Sequence, residues 1–159
     1  MAEPEDENIK ARARSASPSV TWGACGVFDE NLKIVRAFRD RSQAHIGGRS
    51  ITYGGSNLTC GSATWGYRHI VKRHLGEWET RAAVARENWR DTADYGILWA
   101  LRDPDRIAYR AANDTFCYSR KILLVDDRNN EVVGSYFPKV SVARASHRII
   151  TAYPSGSQC

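Results

Sequence analysis

A short run near the middle of the chain combines two imidazoles with three cations: RHIVKRH, from Arg68 to His74. Each residue of a helix turns about 100° from the one before, so His69 and His74 point about 140° from each other. One imidazole can therefore face a site while the other orients it, packs or faces solvent. Neighbouring cations favour the neutral imidazole, which can act as a base. The alternative is a basic helix face in solvent.

A strand-like segment near the end of the sequence carries hydroxyl groups: IITAYP, from Ile149 to Pro154. Side chains alternate across a strand, so Thr151 and Tyr153 share one face. A hydroxyl and a phenol side by side are donors suited to phosphate oxygens. Taken alone, the segment is more simply interpreted as a half-buried strand whose polar face meets water.

Two further cations lie on a strand predicted over residues 115–125. Arg120 and Lys121 fall on opposite faces of such a strand, so either face could place a cation beside Thr151. Lys139, on the next strand, is a third candidate, because the sequence leaves the pairing register open. A surface cation on a sheet usually only promotes solubility, and that is the alternative for each of them.

Together these residue types predict cleavage of RNA without a metal ion. The reaction needs a base for the ribose 2′-hydroxyl, donors for the charged phosphorane and an acid for the departing 5′-oxygen. Histidine can serve as base or acid, arginine or lysine can stabilise charge, and hydroxyls can orient the phosphate. DNA lacks the internal nucleophile, so the same residues could not cleave it. We predict no metal and no cofactor, because Asp126-Asp127 falls in a turn rather than in a carboxylate cage.

The elements that must position these residues begin with two helices. Apolar residues at helical intervals predict a first helix over 65–75, with Gly76 as its C-cap. A second helix is predicted from near Asp91, with Asp94 as a partial capping-box residue. It should end before Asp103, because a proline follows that residue.

The last third of the chain changes from helical to strand-like periodicity. β-Branched and aromatic residues predict strands over 115–125, 132–143 and 148–153, joined by short polar segments into an antiparallel meander. Short strands punctuated by glycines are predicted between residues 20 and 59. Helices followed by consecutive strands indicate an α+β fold, with N-terminal helices packed on a C-terminal antiparallel β-meander.

Length and composition set the class of protein. The 159 residues suffice for one domain, and a hydrophobic content of 42% excludes wholesale disorder. Residues 1–19 lack hydrophobic periodicity, which predicts a flexible leader before a single domain over 20–159. The net charge of +5 suits a polyanionic partner such as RNA, although many proteins of modest positive charge bind none. We predict no membrane span and see no signal peptide, because no long apolar run occurs.

The chain has four cysteines: Cys25, Cys60, Cys117 and Cys159. None is spaced C-x-x-C, so a zinc knuckle is not predicted. Four cysteines allow three disulfide connectivities, and the sequence does not choose among them. Reduced core thiols are the favoured prediction, because no feature of the sequence establishes an oxidising compartment.

The order of elements, the HIVKRH segment and the closing IITAYP strand together resemble bacterial toxin nuclease domains. The likeness is to the barnase–EndoU–colicin–RelE superfamily and covers roughly residues 64–154. Toxin domains that look like pancreatic-type ribonuclease share a related arrangement. Such domains place a histidine on an N-terminal helix and end in a strand with Thr or Ser and Tyr. The resemblance therefore implies His69 or His74, with Thr151 and Tyr153, as catalytic residues.

The resemblance also implies a charge-stabilising arginine after the helical histidine, a place that Arg81 or Arg86 fits. The candidate substrate-binding residues are thus Arg73, Arg81, Arg120 and Lys121. The function implied is a ribonuclease effector of a toxin–immunity pair, acting on tRNA or another cellular RNA. Its partner would be an acidic immunity protein, and its route would be secretion or delivery into the cytoplasm of a target cell.

Two other functions fit the sequence. A non-catalytic basic module for RNA or protein binding would use the aromatic side chains as stacking platforms. A small secreted domain stapled by its cysteines is favoured by the sequons at Asn57 and Asn113 but opposed by the missing signal peptide. Without a delivery route, the protein is expected in the cytoplasm.

Overall fold

The computed structural model describes residues 21–126 and 128–159, so the predicted leader over 1–19 lies outside the described residues. Two helices and nine strands form in the described part of the chain. The helices are α1 (Gly66–Ala85) and α2 (Trp89–Arg102), and the strands are β1 (Ile34–Arg41), β2 (Ala44–Ile46), β3 (Arg49–Ile51), β4 (Gly54–Thr59), β5 (Arg106–Arg110), β6 (Thr115–Ser119), β7 (Ile122–Val125), β8 (Val132–Ala143) and β9 (Ile149–Ser155). The helices precede the larger, antiparallel sheet, and the predicted α+β fold class is confirmed.

The first helix is longer than the sequence predicts. The predicted C-cap at Gly76 is wrong, because α1 runs through it to Ala85. Its C-cap is Arg86, which adopts a left-handed conformation with φ 61°. A glycine inside a helix costs about 1 kcal/mol relative to alanine. Ile70, Trp78 and Ala82 are buried on both sides of this glycine at helical spacing. Their continuous apolar face outweighs the local cost.

The second helix begins slightly before its predicted start and ends where predicted. Asn88 is its N-cap, since its side-chain oxygen accepts a hydrogen bond from the backbone N–H two residues later at 2.9 Å. Asp94 does not cap the helix as predicted. It is buried in the helix interior and accepts hydrogen bonds from Trp22 Nε1 at 2.9 Å and from Arg36. The helix ends at Arg102, just ahead of the Asp-Pro pair.

The long strand β8 is the centre of the larger sheet. Along one edge it pairs with β6 and β7, and along the other with β9. The strand predicted over 115–125 is interrupted between β6 and β7. In the register that the two share, Arg120 lies opposite Pro138, which has no N–H to donate to the ladder. The prediction over 132–143 is confirmed, and β5, which the sequence analysis missed, pairs with the outer edge of β6.

The N-terminal strands predicted between residues 20 and 59 are confirmed as two antiparallel pairs, β1 with β4 and β2 with β3. Gly47 and Gly48 form the tight turn between β2 and β3 with φ values of 58° and 78°. Residues with a Cβ adopt such angles only at a cost, which explains the glycine pair.

One cluster of buried apolar side chains connects these pairs, both helices and the larger sheet. Its largest members include Phe38, Leu58, Trp78, Phe116 and Tyr136. Of the helices in the described residues, neither is long and apolar enough to cross a membrane.

All four cysteines are paired, as Cys25–Cys60 and Cys117–Cys159. The prediction of reduced core thiols is therefore wrong. Spacing could not reveal the pairing, because the partners lie 35 and 42 residues apart and meet only once the sheets have formed. The second bridge fastens the residues after β9 across the larger sheet.

Candidate active site

The helix α1 packs against the edge strand β9, and one hydrogen bond sets their relative position. The indole N–H of Trp78, a fully buried residue of α1, donates to the backbone carbonyl of Ala152 at 3.1 Å. The same indole packs edge-on against Tyr136, with ring centres 5.9 Å apart. Burial raises the pKa of the Tyr136 phenol far above its ordinary value, so this ring stays neutral. The contact of Trp78 with Tyr136 of β8 is therefore apolar, and the hydrogen bond to Ala152 holds the neighbouring polar residues of α1 and β9 side by side.

Three of the four predicted catalytic residues form a cluster of rings at this contact. The His74 imidazole stacks on the Tyr153 ring, with centres 4.9 Å apart and planes 18° apart. His69 meets His74 edge-on, with ring centres 5.5 Å apart. Although the two histidines leave the helix at different angles, both imidazoles belong to one cluster. His69 packs on His74, which is one of the arrangements that the helical spacing left open.

Hydrogen bonds define the tautomer of each imidazole. His69 Nδ1 lies 2.9 Å from the backbone carbonyl of Ala63. A carbonyl only accepts, so Nδ1 must carry the proton, and Nε2 is the acceptor in the neutral ring. His74 Nδ1 is paired with the carboxylate of Glu77, three residues later on α1. This arrangement likewise leaves Nε2 of His74 as the nitrogen available to a substrate.

Glu77 is a residue that the sequence analysis missed. Its carboxylate holds the His74 ring, although half of the Glu77 side chain remains exposed. The sequence did indicate this pairing, because a glutamate three residues after a helical histidine lies on the same helix face.

The fourth predicted catalytic residue, Thr151, lies two positions before Tyr153 on the same face of β9. Its hydroxyl oxygen is buried and has no hydrogen-bond partner among the described residues. On the adjacent strand β8, Ser141 lies opposite Thr151 and Lys139 lies opposite Tyr153. The Lys139 ammonium donates to the Ser157 hydroxyl at 3.4 Å. Lys139, considered from the sequence as a cation beside Thr151, therefore lies opposite Tyr153 instead.

The predicted substrate-binding cations are placed differently. Arg73 is exposed on α1, next to His74. Arg81 donates to the backbone carbonyl of Ser135 at 3.5 Å, and its guanidinium carbon lies 5.7 Å from the Tyr136 ring centre. Arg86, the other arginine implied by the resemblance, is exposed at the end of α1.

Neither residue that follows β6 supplies a cation beside Thr151. Arg120 is buried and bound to the Asp103 carboxylate at 2.9 Å. Lys121 is exposed, and its backbone N–H donates to Asp105. Both lie outside any strand, and β8 separates their edge of the sheet from β9. The expectation of a cation beside Thr151 from this segment is wrong, because β8 lies between the segment and β9.

No group of three or more histidine, cysteine or acidic residues within the described ranges could hold a metal ion. The absence of a metal from the reaction stays a prediction that activity in a chelator can test.

No protein-family model and no solved structure matches this chain. Two relatives from Mycobacterium tuberculosis, strains CDC 1551 / Oshkosh and ATCC 25618 / H37Rv, are 33% identical over 137 residues. The alignment covers 84% of this chain and 49% of each relative, and both are named as uncharacterised proteins. The chain therefore spans about half the length of these relatives. The UDP-N-acetylenolpyruvoylglucosamine reductase of Escherichia coli O6:H1, strain CFT073, is 28% identical over 148 residues, which cover 88% of this chain and 40% of that protein.

Proposed function

We propose that this protein is a metal-independent endoribonuclease whose active site lies between α1 and β9. The observation that carries the proposal is the ring cluster, in which His74 stacks on Tyr153 and touches His69. Two groups able to transfer protons are thereby placed beside a phenol, and Thr151 lies two residues before that phenol on the same face of β9. Attack of a ribose 2′-hydroxyl on the adjacent phosphodiester requires this combination of base, acid and hydrogen-bond donors.

In the proposed reaction, neutral His69 accepts the proton of the ribose 2′-hydroxyl at Nε2, and the 2′-oxygen attacks the adjacent phosphorus. The bond between phosphorus and the 5′-oxygen breaks, and protonated His74 gives its Nε2 proton to that oxygen. The products are a 2′,3′-cyclic phosphate and a free 5′-hydroxyl. Exchange of protons with water restores both imidazoles.

The two Nδ1 partners support this division of roles. The Ala63 carbonyl keeps the proton of neutral His69 on Nδ1, so Nε2 is the basic nitrogen. The Glu77 carboxylate holds His74 in orientation and complements the positive charge of its acid form.

The charged phosphorane needs donors around its oxygens. We assign this role to the hydroxyls of Thr151 and Tyr153, with positive charge from Lys139 opposite Tyr153. Arg73 and Arg81 remain candidate contacts to the RNA backbone, while Arg120 does not, because its charge is already paired with carboxylates.

The proposed biological setting is a toxin delivered into a target cell, acting on tRNA or another cellular RNA and neutralised by an acidic immunity protein. The positive net charge supports both an RNA substrate and an acidic partner. The two disulfides support passage through an oxidising compartment.

The experiment that tests the function is cleavage of total tRNA in excess EDTA by the wild type and by His69→Ala, His74→Ala and Tyr153→Phe. General acid and base groups typically contribute 10²- to 10⁴-fold each, so each histidine variant should lose at least about 100-fold in rate. Tyr153→Phe keeps the ring that stacks on His74 and removes only the hydroxyl. His45→Ala, at an exposed position of β2, is the matched control and should cleave normally.

Full activity of all three variants, with unchanged circular dichroism, would remove the catalytic role of this cluster. A wild type that binds RNA in a salt-sensitive way but yields no product would support the alternative, a non-catalytic RNA-binding module. A DNA strand of the same sequence should remain intact in every case, because it lacks the 2′-hydroxyl.

A further inference from the structure

An arginine and a tryptophan stack on each other where α1 and β9 begin. The guanidinium carbon of Arg148, the residue before β9, lies 5.2 Å from the centre of the Trp65 ring. Trp65 is the N-cap of α1. Both side chains are half-buried. The pair therefore joins the two elements that carry the ring cluster.

The pair lies along the same helix–strand contact as the proposed active site. Trp65 precedes His69 by four residues, which is about 6 Å along a helix axis. Arg148 precedes Thr151 by three residues on the chain. Trp65 meets Arg148 near the start of both elements, whereas His74 meets Tyr153 farther along both. An RNA strand that follows this contact would pass the Arg148 guanidinium before it reaches the imidazoles.

Within the part of the chain that the structure describes, no carboxylate forms an ion pair with Arg148. Buried arginines elsewhere in the described residues meet acceptors, as Arg120 does at Asp103 and Arg41 does at backbone carbonyls. No carboxylate or carbonyl of the described residues accepts a hydrogen bond from the Arg148 side chain. The Nε atom is buried and unpartnered in all three arginines, so the difference lies in the terminal nitrogens, which bind acceptors in Arg41 and Arg120 but bind none of the described residues in Arg148. Polar groups of folded proteins are normally satisfied, so the terminal nitrogens of Arg148 are the donors left to bind an anionic ligand.

We propose that Arg148 binds a phosphate group of the RNA substrate and that Trp65 holds the guanidinium in place for it. This inference rests on the proposed ribonuclease function. The planar guanidinium fork matches two phosphate oxygens, and stacking on an aromatic face restricts its orientation before the substrate arrives. Trp65 acts through Arg148 and is a positioning residue.

The test is binding of a fluorescent single-stranded oligoribonucleotide whose 2′-hydroxyls are all methylated, so that it binds without being cleaved. Dissociation constants are measured over a series of salt concentrations for the wild type, Arg148→Gln, Arg148→Lys, Trp65→Ala and Arg39→Gln. Arg39→Gln is the matched control, because it removes the same charge from an exposed position of β1. Thermal unfolding of each variant confirms that it is folded.

Arg148→Gln should weaken binding at least about tenfold at low salt. It should also reduce the slope of log K against log salt by about 0.7, the value for one lost contact to a single-strand phosphate. Arg39→Gln should leave the dissociation constant and the salt slope nearly unchanged. Arg148→Lys should restore the slope but only part of the affinity, since an ammonium provides no fork and no planar stacking. Trp65→Ala should weaken binding while it leaves the slope largely intact.

Two failures are distinguishable. A wild type that cuts RNA while Arg148→Gln and Arg39→Gln bind alike overturns the phosphate subsite alone. A wild type that neither binds nor cuts RNA overturns the proposed function and the subsite with it. A folded Arg148→Lys variant with the wild-type slope supports the subsite even where Arg148→Gln unfolds.

Discussion

The segment after β9 is held to the larger sheet by the Cys117–Cys159 disulfide, and Cys159→Ser removes that connection. The backbone N–H of Cys159 also donates to the Ser119 hydroxyl at 3.0 Å, and Gln158 donates to Asp105 at 3.3 Å. These hydrogen bonds are partly exposed and contribute little once the covalent link is gone. The main effect of the substitution should therefore arise from the disulfide.

The size of that effect follows from the separation of 42 residues between the two cysteines. In the chain-entropy treatment, closing a loop of this length stabilises the folded state by about 4 kcal/mol, because the unfolded chain loses conformational freedom. For a protein of this size the loss corresponds to a fall of roughly 10 °C in Tm. The free energy of unfolding of small domains is about 5–15 kcal/mol, so Cys159→Ser should remain folded but with a much smaller margin.

The assay is equilibrium urea unfolding, followed by tryptophan fluorescence. Ser157→Ala is the control, because it removes the tail's contact with Lys139 and keeps the disulfide. The reduced wild type should be less stable than Cys159→Ser, since the Cys25–Cys60 bridge is then lost as well. If Cys159→Ser unfolds within about 1 kcal/mol of the wild type, the loop-closure reasoning fails.

Two further predictions concern the packing and the acid stability of the fold. Gly96→Ala should lower the free energy of unfolding by about 1 kcal/mol in the same assay, because overpacking exceeds the helix propensity gained. The added Cβ would lie 2.7 Å from the hydroxyl oxygen of Tyr136, a buried side chain with no room to move. A Gly96→Ala variant more stable than the wild type would contradict the overpacking argument. The Arg128 side chain lowers the pKa of Asp126 from its usual 3.8 to about 2. The ionised Asp126 carboxylate therefore stabilises the folded state fully above pH 4, and this contribution is lost as the pH falls towards 2. Asp126→Asn should be less stable than the wild type at pH 5, and the difference in the free energy of unfolding should shrink on acidification. Unfolding curves that keep a constant difference between pH 5 and pH 2 would refute this assignment.

Local sequence signals predicted most elements, and the errors occur where a distant partner decides the structure. The end of α2 at Arg102 follows from the Asp-Pro pair alone. Gly76 carries the same kind of local signal, but the buried face that includes Trp78 carries α1 through it. The interruption after β6 depends on Pro138, which lies on a different strand. No inspection of residues 115–125 could have revealed it.

In the candidate site, too, local sequence signals predicted some features, while others depend on contacts between distant residues. Alternation along β9 correctly placed Thr151 and Tyr153 on one face. Angular spacing on α1 suggested that the imidazoles diverge, yet the rings of His69 and His74 meet, and His74 also stacks on Tyr153 of β9. Arg148 carried no signal at all in the sequence, since its stacking partner Trp65 lies more than eighty positions away.

The contact between α1 and β9 has a consequence for the order in which activity arises during synthesis. Both imidazoles leave the ribosome with α1, whereas Tyr153 and the carbonyl that anchors Trp78 follow only with β9. A nascent chain thus holds its proton-transfer groups long before it holds their phosphate-binding counterparts. Under the proposed function, translation yields an inert intermediate, and the producing cell meets a competent nuclease only after β9 has docked.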